Sequence, residues 1–272
     1  MTDLTHTAAE IEEHSFNTGT VTINYAEGLA SGPALVLLHS GSARWQSFEP
    51  IIPTLAANWH LYALDFRGHG KSGRVAGRYR LRDYADDTVA FLRQQLDEVA
   101  IVVGHSLGGM VALLVAAQCP ECVRAVVVGD APLTADTLGA VLDQSRASLT
   151  PLRNLAGGRY LLEEVIATLG DEGSAVDLYQ NDPDVLTALL DDFERTVAGY
   201  DMESMLPSIR CPVLLLQADP TAGGLMTDAE VERASELLAQ PFHVRLSGIG
   251  HGLHSEQQEP VLRAAIDFLT SL

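Results

Sequence analysis

Short apolar runs rich in valine, leucine and isoleucine alternate with helix-like segments along most of this chain. Strands that are buried on both faces read as nearly continuous apolar runs, and their alternation with helices is typical of a mostly parallel sheet. The predicted strands are residues 21–25, 34–38, 60–64, 100–103, 125–128, 213–217 and 243–246. The predicted core helices are residues 83–98, 107–118, 228–239 and 260–272. The sequence therefore predicts an α/β fold whose mostly parallel sheet is flanked by helices.

The alternation stops over residues 133–210, where helical patterns follow one another without a convincing strand. Turns rich in glycine, asparagine and aspartate separate the predicted helices, which are residues 134–149, 160–169, 183–197 and 201–209. We interpret this stretch as a helical lid inserted before the penultimate strand, above the sheet edge where open α/β folds bind ligands. The expected organisation is a first core segment at residues 1–132, the lid at residues 133–210 and a second core segment at residues 211–272.

The motif GHSLGG at residues 104–109 lies between a predicted strand and a predicted helix. This is the setting of a G-x-S-x-G elbow, in which a tight turn exposes a serine and the glycines avoid collisions with neighbouring backbone. A serine that only caps a helix is the ordinary alternative, but the register with both strand and helix favours the elbow. Ser106 is therefore the predicted nucleophile. The free N–H of Leu107, at the positive end of the helix dipole, is a predicted donor to an oxyanion.

With this motif the chain resembles the α/β-hydrolase superfamily, in particular its lidded esterase-like and lactonase-like serine hydrolases. The resemblance starts at about residue 21 and rests on four blocks in the family's order. The block LLHSGS at residues 37–42 resembles the family's oxyanion loop, which implies that a second oxyanion amide belongs to Gly41, with Ser42 as the alternative. The block DFRGHGKS at residues 65–72 is similar to the family's structural D-x-R-G-x-G-x-S turn.

Three residues near these blocks are candidate substrate contacts: Ser40, Trp45 and His105. Ser40 stands where the family usually has glycine, Trp45 follows the oxyanion loop, and His105 precedes the predicted nucleophile. The histidines of the two other turns, His39 and His69, are expected to pack within those turns and not to act as bases.

The fourth block, GIGHG at residues 248–252, resembles the family's histidine loop and implies that His251, in preference to His254, is the general base. In the family the acid that orients this histidine follows the strand after the lid, which implies Asp219. The spacing around Asp219 is shorter than usual, so two further candidates stay open. Asp130 follows the strand before the lid, and Asp228 also reads as the start of a helix.

These residues predict acyl chemistry, in which Ser106 attacks a carbonyl carbon, His251 takes its proton and water then hydrolyses the acyl-enzyme. The family's epoxide hydrolases and haloalkane dehalogenases carry aspartate in place of this serine, which argues against both. We expect hydrolysis of a small or medium carboxylic ester or lactone, with no metal or organic cofactor. The alternatives are a carbon–carbon bond hydrolase, a cofactor-free acyltransferase or perhydrolase with the same residues, and a non-catalytic ligand receptor.

The charge of the chain restricts its partners. Its 272 residues include 17 basic and 36 acidic ones, a formal net charge of -19 that repels phosphate backbones and anionic lipids. We therefore expect a small-molecule substrate, and neither nucleic acid nor a membrane as partner. The N-terminus lacks the pattern of an export signal, and the three cysteines, Cys119, Cys122 and Cys211, predict no disulfide framework and no zinc site. The expected location is the cytoplasm.

Overall fold

The computed structural model describes residues 11–29, 32–253 and 258–272. Its strands are β1 (Ile11–Asn17), β2 (Thr22–Gly28), β3 (Ala34–Leu38), β4 (His60–Leu64), β5 (Ala100–His105), β6 (Val123–Gly129), β7 (Val213–Ala218) and β8 (Pro241–Leu246). They form one sheet in the order β1-β2-β4-β3-β5-β6-β7-β8. β2 pairs antiparallel with β1 and β4, and every other neighbouring pair in this sheet is parallel. The predicted mostly parallel sheet is confirmed.

The helices fall into a core set and an inserted set. The core set is α1 (Ile52–Leu55), α2 (Leu81–Gln95), α3 (Leu107–Gln118), α10 (Asp228–Leu237) and α11 (Gln258–Thr270). The inserted set is α4 (Ala135–Leu155), α5 (Leu162–Leu169), α6 (Glu172–Gln180), α7 (Pro183–Asp191), α8 (Phe193–Thr196) and α9 (Met202–Met205). Residues 130–212, all of which the structure describes, contain no strand, as the sequence predicted for this stretch.

The central strand β3 is buried on both faces of the sheet. Side chains alternate across a strand, so its residues belong to two apolar clusters. Val36 and Leu38 pack in the cluster that contains residues of α2, α3 and α10. Leu35 and Leu37 pack in the cluster that contains residues of α1 and α11. Helices thus cover both faces of the sheet, and the carboxyl ends of its parallel strands are left for the loops described below.

Besides the short helix α1, two elements were absent from the sequence prediction. β1 is a polar edge strand, in which Glu12, Glu13 and His14 gave no apolar run, and it exists through its antiparallel pairing with β2. α6 begins in a stretch that was predicted as a turn. The Asp171 side chain accepts a hydrogen bond from the Ser174 N–H at 2.7 Å, an N-cap that satisfies one of the free amides at the start of this helix.

The cysteines also differ from the prediction, because Cys119 and Cys122 form a disulfide at the end of α3. Cys211 is buried and free. Within the described ranges, the structure has no helix of the length and apolarity needed to cross a bilayer.

A buried ion pair ties the turn after β4 to α2. The Arg67 guanidinium donates to both carboxylate oxygens of Asp87, at 2.6 Å from Nε and 2.7 Å from Nη2. The two side chains are only 2% and 5% exposed. This two-point contact holds the D-x-R-G-x-G-x-S turn, at residues 65–72, against the core, because a buried guanidinium needs its carboxylate partner.

We expect the Asp87→Ala substitution to lower the free energy of unfolding by about 3–5 kcal/mol, because it leaves the Arg67 charge buried and unpaired. Urea unfolding followed by circular dichroism measures this loss. The matched control is Glu121→Ala, which removes an ion pair with Arg93 whose side chains are 64% and 54% exposed. The control should unfold like the wild type. Equal losses in the two variants would contradict a special role for the buried pair.

Candidate active site

Ser106 occupies a strained turn between β5 and α3. Its backbone angles are φ 56° and ψ -118°, in a region that residues with side chains rarely adopt. Close packing holds this turn, because a Cβ atom at Gly104 would lie 2.1 Å from the Gly108 carbonyl oxygen and one at Gly108 would lie 2.0 Å from the Leu38 carbonyl oxygen. The Ser106 N–H donates to the Gly129 carbonyl at 2.9 Å. The sequence-predicted elbow is therefore the geometry that the structure adopts.

His251 lies beside Ser106, on the loop that follows β8. Its Nε2 is 3.1 Å from the Ser106 Oγ, and its Nδ1 is 2.7 Å from the Asp130 Oδ2. An ionised carboxylate only accepts hydrogen bonds, so the ring proton sits on Nδ1 and the Nε2 lone pair faces the serine hydroxyl. The side chain of His251 is 31% exposed, whereas that of Asp130 is fully buried. A proton can therefore pass from the serine to an imidazole that solvent and substrate can reach.

The Asp130 carboxylate follows β6 and lies in a cradle of backbone amides. It accepts hydrogen bonds from the N–H groups of Leu225 at 2.8 Å, Met226 at 3.1 Å and Ala218 at 3.2 Å. Burial alone would raise the pKa of Asp130, but the hydrogen bonds from His251 and from the amides of Leu225 and Met226 prevail and lower the pKa below its usual value. The carboxylate therefore stays ionised beside His251.

Asp219, the acid favoured by the sequence, does not contact His251 in this structure. Its carboxylate accepts hydrogen bonds from the Gly248 N–H at 2.8 Å and the Thr221 N–H at 2.9 Å, and these bonds lower its pKa. Its own N–H donates to the Ile249 carbonyl at 2.8 Å. Asp219 thus ties the loop that carries the histidine to the end of β7. The expectation for Asp219 is corrected, since its hydrogen-bonding capacity is used by that loop and by its own turn.

The third candidate acid, Asp228, starts α10 and pairs with Gln217 and Arg245. It also makes no contact with His251 among the interactions of the described residues. The rival histidine, His254, lies outside the described residues.

The predicted oxyanion loop runs from His39 past Gly41 and lies next to the start of α3. A Cβ atom at Gly41 would lie 3.5 Å from the Leu107 Cδ2, so the predicted pair of amides belongs to two residues in close proximity. Within the part of the chain that the structure describes, the amides of Gly41 and Leu107 donate no hydrogen bond to another residue. Both N–H groups are therefore available to a ligand oxygen. The Ser40 carbonyl accepts the Ala43 N–H at 3.2 Å and closes a turn around Gly41.

The other predicted contacts have structural partners. Trp45 is 7% exposed and packs in the cluster with α1 and α11, and its Nε1–H donates to Glu13 at 2.7 Å, which does not support a contact with substrate. His105 is 8% exposed and its Nε2–H donates to the His251 carbonyl at 2.7 Å. Ser40 is partly exposed on the oxyanion loop. Of these three residues, Ser40 keeps a side chain open to a ligand, while His105 supports the histidine loop.

The amide cradle of Asp130 was missed by the sequence prediction. Gly224 is the signal that points to it, because a Cβ atom there would lie 2.8 Å from the Ala218 carbonyl group. This close approach brings the amides of Leu225 and Met226 to the carboxylate. A glycine in a loop is too common to predict such a contact without the neighbouring strand in place.

Comparison with known proteins places this chain in a family. The model of the alpha/beta hydrolase family matches residues 35–264. A 2-(acetamidomethylene)succinate hydrolase from Mesorhizobium japonicum is 38% identical over 112 residues, which are 41% of this chain and 40% of that protein. A pimeloyl-[acyl-carrier protein] methyl ester esterase from Neisseria meningitidis is 37% identical over 102 residues, which are 37% of this chain and 31% of that protein. The chain thus matches about two fifths or less of the length of these curated relatives.

Solved structures resemble the whole chain. A crystal structure of E-2-(acetamidomethylene)succinate hydrolase has a TM-score of 0.78, with 96% of this chain and 100% of that chain covered at 23% identity. An enol-lactonase from Burkholderia xenovorans LB400 has a TM-score of 0.72, with 94% and 100% covered at 18% identity. At these identities the likeness shows the fold.

We expect Gly108→Ala to lower the free energy of unfolding by about 1–3 kcal/mol or more, because the new methyl group forces α3 away from β3. The matched control is Gly173→Ala in α6, where the nearest atom, in the Asp171 side chain, would be 3.6 Å away. This control should raise the free energy of unfolding by about 0.5–1 kcal/mol, since alanine favours a helix. Thermal unfolding measures both changes, and a Gly108→Ala protein as stable as the wild type would contradict the close packing of the elbow.

Proposed function

The chain belongs to the α/β-hydrolase family, and from this premise we propose that it is a serine hydrolase whose catalytic triad is Ser106, His251 and Asp130. One observation carries the proposal. The continuous hydrogen-bonded chain from the buried Asp130 carboxylate through His251 to the Ser106 hydroxyl, with contacts of 2.7 and 3.1 Å, is the arrangement that activates a serine. The proposal takes Asp130 in place of Asp219 as the acid.

The reaction follows from the positions of these groups. Ser106 Oγ attacks a carbonyl carbon while His251 Nε2 takes the hydroxyl proton, and the tetrahedral intermediate then expels the alcohol, which leaves with that proton. His251 next takes a proton from water, whose oxygen attacks the acyl-enzyme. The second tetrahedral intermediate then releases the acid while His251 returns the proton to the Ser106 oxygen. Asp130 stays ionised throughout, because its lowered pKa keeps it able to stabilise the imidazolium.

The oxyanion of each tetrahedral intermediate is held by the amides of Leu107 and Gly41 in this proposal. The Leu107 amide lies at the start of α3, where the helix dipole adds a partial positive charge. Neither amide donates elsewhere within the described residues, so no hydrogen bond must break before the intermediate forms. Such a preorganised pair of donors is the largest electrostatic contribution that a site of this kind offers.

We propose that residues 133–210 act as the lid. Two contacts with the predicted oxyanion loop and the residues after it support this proposal. The Arg44 Nε donates to Asp177 at 2.6 Å, and the Asn181 side chain donates to the Ser42 carbonyl at 3.3 Å. These contacts fasten the end of α6 beside the predicted oxyanion hole. An inserted layer at this position favours a small or medium carboxylic ester or lactone over a polymer, and an esterase among the relatives supports ester hydrolysis.

A fluorophosphonate probe and the p-nitrophenyl esters of acetate and butyrate test the proposal. Ser106→Ala and His251→Ala should abolish labelling and turnover. Asp130→Asn should lower kcat by about 10³- to 10⁴-fold, because an amide cannot hold the ring in the required tautomer or stabilise its cation. Asp219→Asn is the matched control at the neighbouring strand end, and its kcat should stay within about tenfold of the wild type, since loop contacts alone are weakened.

Two results would count against the proposal. Folded wild-type protein that neither labels at Ser106 nor hydrolyses any of the esters would refute the serine hydrolase. A larger loss of kcat in Asp219→Asn than in Asp130→Asn would refute the choice of acid and leave the nucleophile untouched.

A further inference from the structure

Two buried histidines contact the two peptide groups that flank Gly41. The His39 Nδ1 donates to the Ser40 carbonyl at 2.7 Å, and the His69 Nε2 lies 3.0 Å from the Gly41 carbonyl. Both imidazoles are fully buried, and their ring centroids are 5.0 Å apart. We propose that His39 and His69 are positioning residues that fix the direction of the oxyanion-loop amides. This inference rests on the proposed serine hydrolase function and deepens it.

When a hydrogen bond fixes the carbonyl of a peptide group, it also fixes the direction of the N–H in the same peptide plane. In a trans peptide the C=O and N–H bonds of one plane point in opposite directions. The Ser40 carbonyl shares its plane with the Gly41 N–H, and the Gly41 carbonyl shares its plane with the Ser42 N–H. By holding the two carbonyls, the two histidines set the directions of the Gly41 and Ser42 N–H bonds.

Gly41 needs such a restraint in addition to the hydrogen bond from the Ala43 N–H to the Ser40 carbonyl, which closes the turn around it. A glycine rotates freely about both backbone bonds. Its φ is not positive, and a Cβ atom there would make only ordinary contacts of 3.5 and 3.7 Å with Leu107, so steric crowding does not lock the residue. The histidines replace the restraint that a side chain would supply. An oxyanion donor is effective only when its direction is set before the charge develops.

The position of the proton on His39 follows from its second partner. The Phe66 N–H donates to the His39 Nε2 at 3.0 Å, so Nε2 carries the lone pair and Nδ1 carries the proton that meets the Ser40 carbonyl. Burial lowers the pKa of His39 well below its usual value, and the neighbouring His69 lowers it further. The ring is therefore neutral with a single donor, which points at the oxyanion loop.

His69 lies between two carbonyl oxygens. Its Nδ1 is 3.0 Å from the Arg67 carbonyl, and its Nε2 is equally far from the Gly41 carbonyl. Burial lowers the pKa of His69, against the raising effect of its hydrogen bonds with the Gly41 and Arg67 carbonyls. The proposal places an N–H on Nε2, where it donates to the Gly41 carbonyl. The turn at residues 65–72 then has a task beyond packing. It carries His69 to the oxyanion loop, with the Arg67–Asp87 pair as its anchor.

Asparagine and glutamine separate the two ring positions. The side-chain nitrogen of asparagine is as many bonds from Cα as Nδ1, and that of glutamine is as many as Nε2. His39→Asn and His69→Gln therefore keep the donor to the loop, whereas His39→Gln and His69→Asn remove it. All four variants carry an uncharged amide side chain. Asparagine keeps the donor at position 39 but removes it at position 69, and glutamine does the reverse. A simple effect of side-chain volume or polarity therefore cannot produce the expected pattern.

The experiment measures kcat and KM for p-nitrophenyl acetate, together with the rate of fluorophosphonate labelling, in all four variants. His39→Gln and His69→Asn should lose about 10- to 10³-fold in kcat, the upper value being the loss of a whole oxyanion donor. KM should stay within about threefold, because the donors act on the transition state. His39→Asn and His69→Gln should keep kcat within about threefold of the wild type. The labelling rates should follow the same order.

Thermal unfolding of each variant separates positioning from folding. The control is His60→Asn at the amino end of β4, whose side chain bonds Glu27 and Tyr62 and should leave kcat unchanged. Losses of kcat that follow the unfolding temperature, or that are equal for asparagine and glutamine at each site, would overturn the inference while Ser106 still labels. A wild-type protein whose labelling does not depend on Ser106 would overturn the proposed function and this inference with it.

Discussion

The strained turn at Ser106 is the constraint on which the rest of the site depends. Its backbone angles are stable only because glycines on both sides allow α3 to approach β3 and β5 closely. β5 lies between β3 and β6 in the sheet, so the loops after these two strands reach the serine from opposite sides. One loop brings Gly41 beside Leu107, where we propose the oxyanion hole, and the other brings Asp130 to the histidine. Sheet order therefore decides which residues can take part in the proposed chemistry.

Each proposed catalytic group is held by backbone contacts with neighbours. The Asp130 carboxylate accepts hydrogen bonds from backbone amides of the loop after β7. Asp219, in that loop, holds the segment that carries His251. The two aspartates thus divide one task, since one orients the imidazole and the other orients its loop. At Gly41, the proposed positioning residues His39 and His69 orient the adjacent peptide groups in a similar way. Ordering both sides before substrate binds lowers the cost of reorganisation during the reaction.

Local sequence signals predicted the features that depend on nearby residues. The helix at residues 107–118 has the predicted bounds, because the elbow starts it and the Cys119-Pro120 pair ends it. The choice of acid failed because it depends on strand spacing across the sheet, which brings the end of β6 and not that of β7 to the histidine. The sequence prediction missed the edge strand β1 because its polar residues form a strand only when β2 supplies a partner. Long-range pairing decided both of these errors.

The most direct test of the account is proton NMR of the hydrogen bond between Asp130 and His251. A ring N–H that donates to a buried carboxylate is strongly deshielded and appears far downfield. The proposed triad predicts one such resonance in the wild type, its loss in Asp130→Ala and in His251→Ala, and its retention in Asp219→Ala. A resonance that survives in Asp130→Ala and disappears in Asp219→Ala would contradict the proposed triad.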